Sequence, residues 1–339
     1  MHSEDRSSIL VFPETFRAPH LCHLALGGFT LLVGSRLLTT AVDLVTLHLI
    51  MTHPSTYLYP DILLQWLSLM PQLENLVLIF SRPVPDHVER QLTCTPIMTS
   101  AVLPNLCRFT FRGFSTYLEA LVHHIIAPRL KNLQIGLFLQ IVVFFNQYTF
   151  SVPRLQQFMD TTENLRFDSV KFKFSNMVVD VEAYLRREAE MPALSINASC
   201  QHLDEQVTFA TQFSNSLGQM FSAVEHLTLE HEIHSLSSEK HNEVDRIEWR
   251  KLLGSFSNVK TLYITHGLIK ELSLCLQLDD GERPLELLPE LQELTYSGSG
   301  DTSDAFTSFI NNRRDVGRPI IRVRRSSSPV PHPSSSDSL

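Results

Sequence analysis

The chain has 339 residues, of which 43% are hydrophobic and 19% are charged, and its net charge is -8. This length and apolar content are enough for a substantial core, so a largely unfolded chain is excluded. Because the net charge is modest and negative, we expect no nucleic-acid binding through bulk charge. No apolar stretch is long enough to cross a bilayer, so we expect no membrane partner.

The five cysteines are widely spread and contain no C-x-x-C pair. They predict neither a disulfide framework nor a zinc site, and they are typical of a reducing compartment, the cytoplasm or the nucleus. Residues 1–16 read as a polar tail without the apolar segment of a signal peptide.

An apolar triad of the form Leu-x-x-Leu-x-Leu recurs at intervals of 23 to 37 residues. Its ten copies begin at Leu21, Leu44, Leu73, Leu106, Leu130, Phe167, Met191, Val224, Val259 and Leu291. A proline stands two positions before five of them, at Pro19, Pro71, Pro104, Pro128 and Pro289. Proline ends a helix and favours extended backbone before it, so each triad predicts a short strand whose fourth and sixth residues share one face.

The segments between the triads have helical spacing. The first predicted helix is opened by Tyr59-Pro60-Asp61 and ended by Pro71. Thr116 and Glu119 have the spacing of a capping box, which predicts a helix start there. Further helices are predicted over 181–190, 205–213, 248–253 and 268–278.

A strand followed by a helix about every 30 residues is the unit of a leucine-rich repeat. The predicted fold is therefore α/β, an irregular leucine-rich-repeat solenoid over residues 17–325, with a curved parallel sheet inside and helices outside. Residues 317–323 predict a last short strand. Residues 326–339 are rich in Ser and Pro and predict a disordered tail.

The residues between the triad positions predict a binding surface. If the triad side chains face the core, the intervening ones face the concave side of the sheet. There we expect a basic patch of Arg108, Arg112, Lys171 and Lys173, together with Tyr263, to bind an acidic or phosphorylated protein partner. The predicted function is a monomeric, non-catalytic protein-interaction module without a cofactor or metal.

An alternative is a hydrolase or metal enzyme that uses His226, His231 and His234. Acidic residues lie among these histidines, which invites a metal site. The spacing is H-x-x-H after a strand and not H-E-x-x-H on a helix, so the side chains need not share a face. No phosphate-binding loop or nucleophile elbow occurs in the sequence.

Several sequence blocks in order resemble the leucine-rich-repeat part of the large F-box-type protein family of mushroom-forming fungi. The blocks are residues 42–49, 73–78, 111–119, 126–130, 140–142, 153–158 and 317–319, within a resemblance that covers about 17–323. The resemblance implies the substrate-binding part of a Skp–cullin–F-box ubiquitin-ligase receptor. Residues 1–20 are too few for an F-box, so we expect none within them.

Overall fold

A computed structural model describes residues 10–11, 13, 15–30, 36–52, 58–81, 97–138, 152–162, 165–200, 202–232, 246–277, 287–297 and 305–326. The chain divides into two compact units. The first unit is Met1–Arg166 with Met191–Ser199, and the second is Phe167–Glu190 with Cys200–Leu339. Both are mixed α/β with mostly parallel sheets, which confirms the predicted class at that level. Residues 1–9 and 327–339, which belong to the predicted tails, lie outside the described residues.

In the described residues, the sheet of the first unit has six parallel strands. They are β2 (His23–Gly27), β4 (Thr46–Met51), β5 (Asn75–Phe80), β7 (Arg108–Gly113), β9 (Asn132–Leu137) and β12 (Leu194–Ser199). The strand order is β12-β9-β7-β5-β4-β2, in which β12 pairs with β9 although β10 and β11 lie between them in the sequence. Two-residue parallel pairs are formed by β1 (Leu10–Val11) with β3 (Phe29–Thr30), and by β6 (Ala101–Val102) with β8 (Ile125–Ile126).

The first unit also contains helices, and Tyr117 places one of them on the apolar side of the sheet. The helices are α1 (Arg36–Thr40), α2 (Pro60–Leu67), α3 (Ser115–Val122) and α4 (Pro153–Asp160). Tyr117 of α3 is fully buried, with its ring centroid 4.6 Å from that of Phe80 and 6.1 Å from that of Phe111. Its hydroxyl donates a hydrogen bond to the carbonyl of Leu58, so the one polar atom of this buried ring is satisfied.

The prolines before the triads stand in tight turns. In each case the N–H of the first triad residue bonds to the carbonyl three residues earlier, and the proline is the second of the four residues, the position that its fixed φ favours. The first triad residues that do so are Leu21, Leu73, Leu106, Leu130 and Leu291. The expected strand after each proline is confirmed. The prediction that each proline ends a helix is wrong for Pro104 and Pro128, because the short strands β6 and β8 precede these two prolines.

A second hydrogen-bond pattern joins consecutive repeats. The carbonyl just before one strand accepts the N–H of the residue just before the next strand and the N–H of the first residue of that strand. Eight carbonyls do this, at Cys22, Val45, Glu74, Cys107, Asp168, Glu225, Lys260 and Gln292. The shared pattern places the starts of adjacent parallel strands side by side in both units.

Six hydrogen-bonded strands also lie in the described part of the second unit. They are β10 (Ser169–Phe174), β11 (Val178–Tyr184), β13 (His226–His231), β14 (Thr261–Ile264), β15 (Glu293–Ser297) and β16 (Arg322–Ser326), in the order β16-β15-β14-β13-β10-β11. All neighbours are parallel except β10 and β11, which are antiparallel. The strand predicted over 317–323 is found, shifted to Arg322–Ser326.

Aromatic side chains fill the core between this sheet and its helices. The helices are α5 (Leu203–Ser216), α6 (Gly218–Phe221), α7 (Arg246–Gly254), α8 (Ile269–Cys275), which follows a 3-10 turn at His266–Leu268, and α9 (Thr307–Asp315). The ring of Trp249 in α7 meets that of Phe174 in β10 edge-on, with centroids 5.5 Å apart. Phe221 of α6 similarly contacts Phe167, at the first triad position before β10.

The helix predicted over 181–190 is wrong, whereas the helix start predicted at Thr116 and Glu119 is confirmed as α3. Residues 181–190 were expected to be helical, but 178–184 form β11, where Val179, Val181 and Ala183 are buried on one face. The alternation of small apolar and polar residues has the period of a strand. The capping box itself is absent, because α3 has no side-chain cap and Glu119 bonds to α4 instead.

Four other helices are confirmed near the predicted bounds, as α2, α5, α7 and α8. Among the residues that the structure describes, no helix is both long and apolar enough to span a membrane.

Candidate functional site

The strands of the first unit place polar side chains in rows across the sheet. Each strand alternates buried triad residues with half-exposed or exposed ones, and the parallel register aligns the latter. One row is Thr46, Asn75, Arg108 and Asn132, and the next is His48, Val77, Thr110 and Gln134. We call these eight side chains, with Arg112, the first polar face.

The first polar face contains a groove of about 380 Å³, lined by all of these side chains except Arg112 and by Leu76. Arg108 is exposed on it, between the amide side chains of Asn75 and Asn132 in the same row. The amide of Asn132 donates a 2.7 Å hydrogen bond to the carbonyl of Pro192, which holds that side chain in place. The groove therefore offers a cation beside hydrogen-bonding amides.

Arg112 lies one row beyond, at the carboxyl end of β7. Its neighbour in β9 is Gly136, where a Cβ atom would come 3.1 Å from Cγ of Arg112. The glycine leaves space for the arginine side chain to lie along the sheet. The guanidinium carbon of Arg112 is 5.5 Å from the centroid of the Phe138 ring, a cation–π distance. Ile50 and Ile79 share this row, so an apolar edge borders the arginine.

Among the described residues, neither arginine of the first polar face has an acidic side chain as an ion-pair partner. Both side chains are exposed, as the sequence predicted for that side of the sheet. They keep a positive potential available to a partner.

The other predicted site residues belong to the second unit, and there the lysines are paired. Nζ of Lys171 lies 2.9 Å from a carboxylate oxygen of Glu230, and both side chains are only 16% exposed. Nζ of Lys173 lies 3.5 Å from a carboxylate oxygen of Glu182. This sheet does not present the predicted basic patch, because each of these two lysines has a carboxylate beside it.

Tyr263 lines a groove of about 270 Å³ in the second unit. Its other lining residues are Ser169, Lys171, Tyr184, Arg187, Ala189, His226, Leu227, Thr228 and Thr261. The hydroxyl of Tyr184 donates a 2.8 Å hydrogen bond to Glu182. Burial raises the pKa of Tyr184, and the neighbouring Glu182 raises it further, so the phenol stays protonated.

The three histidines of the alternative hypothesis do not form one site in the described residues. His226 opens β13 and His231 closes it, five residues later, so the two side chains point to opposite faces of the strand. His234 lies outside the described residues. His226 and His231 therefore do not share a face of the strand.

In the structure the acidic neighbours of His226 are Asp168 and Glu225, and not the acidic residues that lie between the histidines in the sequence. One possible ligand atom from each of Asp168, Glu225 and His226 lies within 4.8 Å of the other two, and all three side chains are half-buried. Burial lowers the pKa of His226, and the charge of Arg187 lowers it further, so the neutral imidazole is favoured.

Sequence reasoning missed Asp168 and Glu225, although a signal was present. Each is the second residue of a triad, and Lys260 has the same position in the following repeat. Because corresponding positions of adjacent parallel strands lie side by side, an alignment of the triads places Asp168, Glu225 and Lys260 next to one another.

The two buried cysteines are not activated nucleophiles. Cys200 and Cys275 are buried free thiols, and burial raises their pKa to about 12 and about 11, respectively. A thiol with a raised pKa carries little thiolate at neutral pH and reacts slowly. Cys22 and Cys107 are free thiols as well, exposed and half-buried.

The sequence matches no protein-family model and no curated protein.

Proposed function

We propose that this protein is a non-catalytic protein-interaction module, built as an irregular leucine-rich-repeat solenoid and resembling the substrate-binding part of an F-box ubiquitin-ligase receptor. Support for the repeat comes from the recurring proline turn and from the carbonyl that accepts two N–H groups at each junction. The link to ubiquitin ligases rests on the sequence resemblance alone.

The observation that carries the proposal is the pair Arg108 and Arg112 on the first polar face. Both are exposed, on the same face of one strand, and without an ion-pair partner in the described residues. Two arginines four residues apart on a strand are separated by roughly 13 Å along it. That spacing suits two acidic side chains of an extended segment.

The partner that fits best is an extended acidic or phosphorylated protein segment. Guanidinium groups bind carboxylates and phosphates through paired hydrogen bonds, which a lysine cannot reproduce. The amides of Asn75, Asn132 and Gln134 line the same groove and can bond to the main chain of such a segment. Ile50 and Ile79 beside Arg112 supply apolar contact.

The free cysteines support a place in the cytoplasm or nucleus. Four described cysteines are free thiols, and the two buried ones pack as small apolar side chains. A reducing compartment preserves them in that form.

The test is the binding of the purified full chain to an array of immobilised peptides that are acidic, phosphorylated or neutral. We expect a preference for the acidic or phosphorylated peptides that weakens with salt. The double variant Arg108→Glu with Arg112→Glu should reduce that binding at least about tenfold, the loss expected for two charge-assisted contacts.

The matched control is Arg129→Glu with Lys131→Glu. It makes the same charge change in the same unit, but in the turn before β9 and not on the first polar face. Its binding should remain within about twofold of the unmodified chain, because exposed charges act weakly at a distance. Equal losses in the two double variants, or no preference for acidic peptides, would refute the proposal.

A further inference from the structure

The side chains of Asp168, Glu225 and His226 converge at the start of two adjacent strands of the second unit. One possible ligand atom from each lies within 4.8 Å of the other two. The set combines one imidazole nitrogen with carboxylate oxygens of two residues. Such a mixture of donors is typical of sites for first-row divalent metals, whereas Ca²⁺ and Mg²⁺ prefer oxygen ligands alone.

The backbone of the repeat brings these residues together. The carbonyl of Asp168 accepts the N–H of Glu225 at 3.0 Å and the N–H of His226 at 3.1 Å. Ser169, the next residue, is the register partner of His226. The positions of all three residues therefore follow from one strand junction and do not depend on a flexible loop.

Two further observations concern the side chains of His226 and Asp168. Nδ1 of His226 is buried and has no hydrogen-bond partner among the described residues, which is costly for a polar ring atom. The Oδ2 atom of Asp168 accepts the backbone N–H of Arg187 at 3.1 Å, which fixes the orientation of the carboxylate. Ligand side chains held by such outer contacts are a common feature of metal sites.

We propose that Asp168, Glu225 and His226 form a binding site for a zinc ion. Imidazole with carboxylate is a donor set that zinc accepts. This site is separate from the first polar face and does not depend on the proposed function.

The ammonium group of Lys260 already lies beside the carboxylate of Glu225. Nζ of Lys260 lies 2.6 Å from Oε1 of Glu225, and the two side chains are 44% and 40% exposed. Zinc binding displaces this ammonium group, so Lys260 is a competitor for the metal. Removing its charge should make the site bind zinc more tightly.

The experiment titrates zinc into the metal-stripped full chain by calorimetry, with Mg²⁺ as the comparison ion. We expect one zinc per chain and far weaker Mg²⁺ binding. His226→Asn and the pair Asp168→Asn with Glu225→Gln should each weaken zinc binding at least about tenfold. The matched control is His231→Asn, on the opposite face of the same strand, with His48→Asn in the first unit as a second; both should stay within about twofold.

The Lys260→Gln variant separates a metal site from a purely structural cluster. It should bind zinc more tightly than the unmodified chain, by about threefold or more, because Glu225 no longer has a competing ammonium group. Circular dichroism of each variant confirms that it folds. The proposal is overturned if the unmodified chain binds no stoichiometric zinc, or if His226→Asn and Lys260→Gln both leave the affinity unchanged.

Discussion

The ammonium group of Lys171 lies 2.9 Å from a carboxylate oxygen of Glu230, and this ion pair is largely withdrawn from solvent. Glu182 is the register partner of Lys171 on the other side. A positive charge that sequence analysis assigned to partner binding therefore has a structural role within the sheet.

Reversing this charge should destabilise the second unit. Lys171→Glu places a third carboxylate beside Glu230 and Glu182, and we expect the free energy of unfolding to fall by about 2–4 kcal/mol. Urea unfolding followed by circular dichroism measures the change. Arg108→Glu is the exposed comparison and should stay within about 0.5 kcal/mol.

The swapped pair Lys171→Glu with Glu230→Lys should recover part of that loss, since opposite charges again face each other. If Lys171→Glu proves as stable as Arg108→Glu, the ion pair contributes nothing to the fold.

Glu119 caps a helix that begins 34 residues after it. Its two carboxylate oxygens accept the N–H groups of Arg154 at 3.0 Å and Leu155 at 2.9 Å, the first free donors of α4. Burial raises the pKa of Glu119, and these two hydrogen bonds act in the opposite direction. Glu119→Ala should lower the free energy of unfolding by about 1–2 kcal/mol, as for other lost caps.

Thr116→Ala is the discriminating control for that prediction. If Thr116 and Glu119 formed a capping box, both variants would destabilise α3. In the structure α3 has no side-chain cap, so Thr116→Ala should change the unfolding midpoint little. Equal effects of the two variants would contradict the observed role of Glu119.

Arg313 holds the turn before β15 through backbone carbonyls. Its guanidinium donates hydrogen bonds to the carbonyls of Leu287, Leu288, Pro289 and Leu291, and the side chain is 7% exposed. Leu288 adopts a φ of 50°, in the left-handed region that a leucine rarely occupies. The fork of donors thus fastens a strained turn.

Arg313→Met leaves these carbonyls without their donor, and we expect a loss of about 2–4 kcal/mol in thermal or urea unfolding. Arg313→Lys should be intermediate, because a lysine cannot reproduce the fork. The neighbouring exposed Arg314→Met serves as the matched control on the same helix. A methionine at 313 that unfolds with the unmodified midpoint would refute this role.

The buried thiols should resist alkylation in the folded chain. At about pH 8 iodoacetamide should modify Cys22 much faster than Cys200 or Cys275, because access and a raised pKa both limit the buried thiols. Site-resolved mass spectrometry with and without urea measures the rates. Rapid modification of Cys200 under native conditions would show that its surroundings open readily.

The strands and their turns could be predicted because their signals are local. Pro71 and Leu73 show this, since a four-residue turn and the alternation that follows depend only on neighbouring residues. The helix predicted over 181–190 fails because of its period: Val179, Val181 and Ala183 alternate with other residues, as in a strand, and 181–184 belong to β11.

The candidate sites were predictable only in part. Arg108 and Arg112 were placed correctly on the exposed side of a strand, since alternation alone decides that. Whether Arg108 and Arg112 have an ion-pair partner among the described residues, and which acid pairs with Lys171, depend on residues supplied by other strands.

The sequence by itself determined the spacing of the repeats, the residues that face the core and the turns that start the strands, because these follow from short-range geometry. Only the tertiary structure decided which charges are neutralised, that Glu119 caps α4, and that Asp168 and Glu225 meet His226. Those contacts join residues brought together by strand register and helix packing, and no local pattern records which partner a side chain will find.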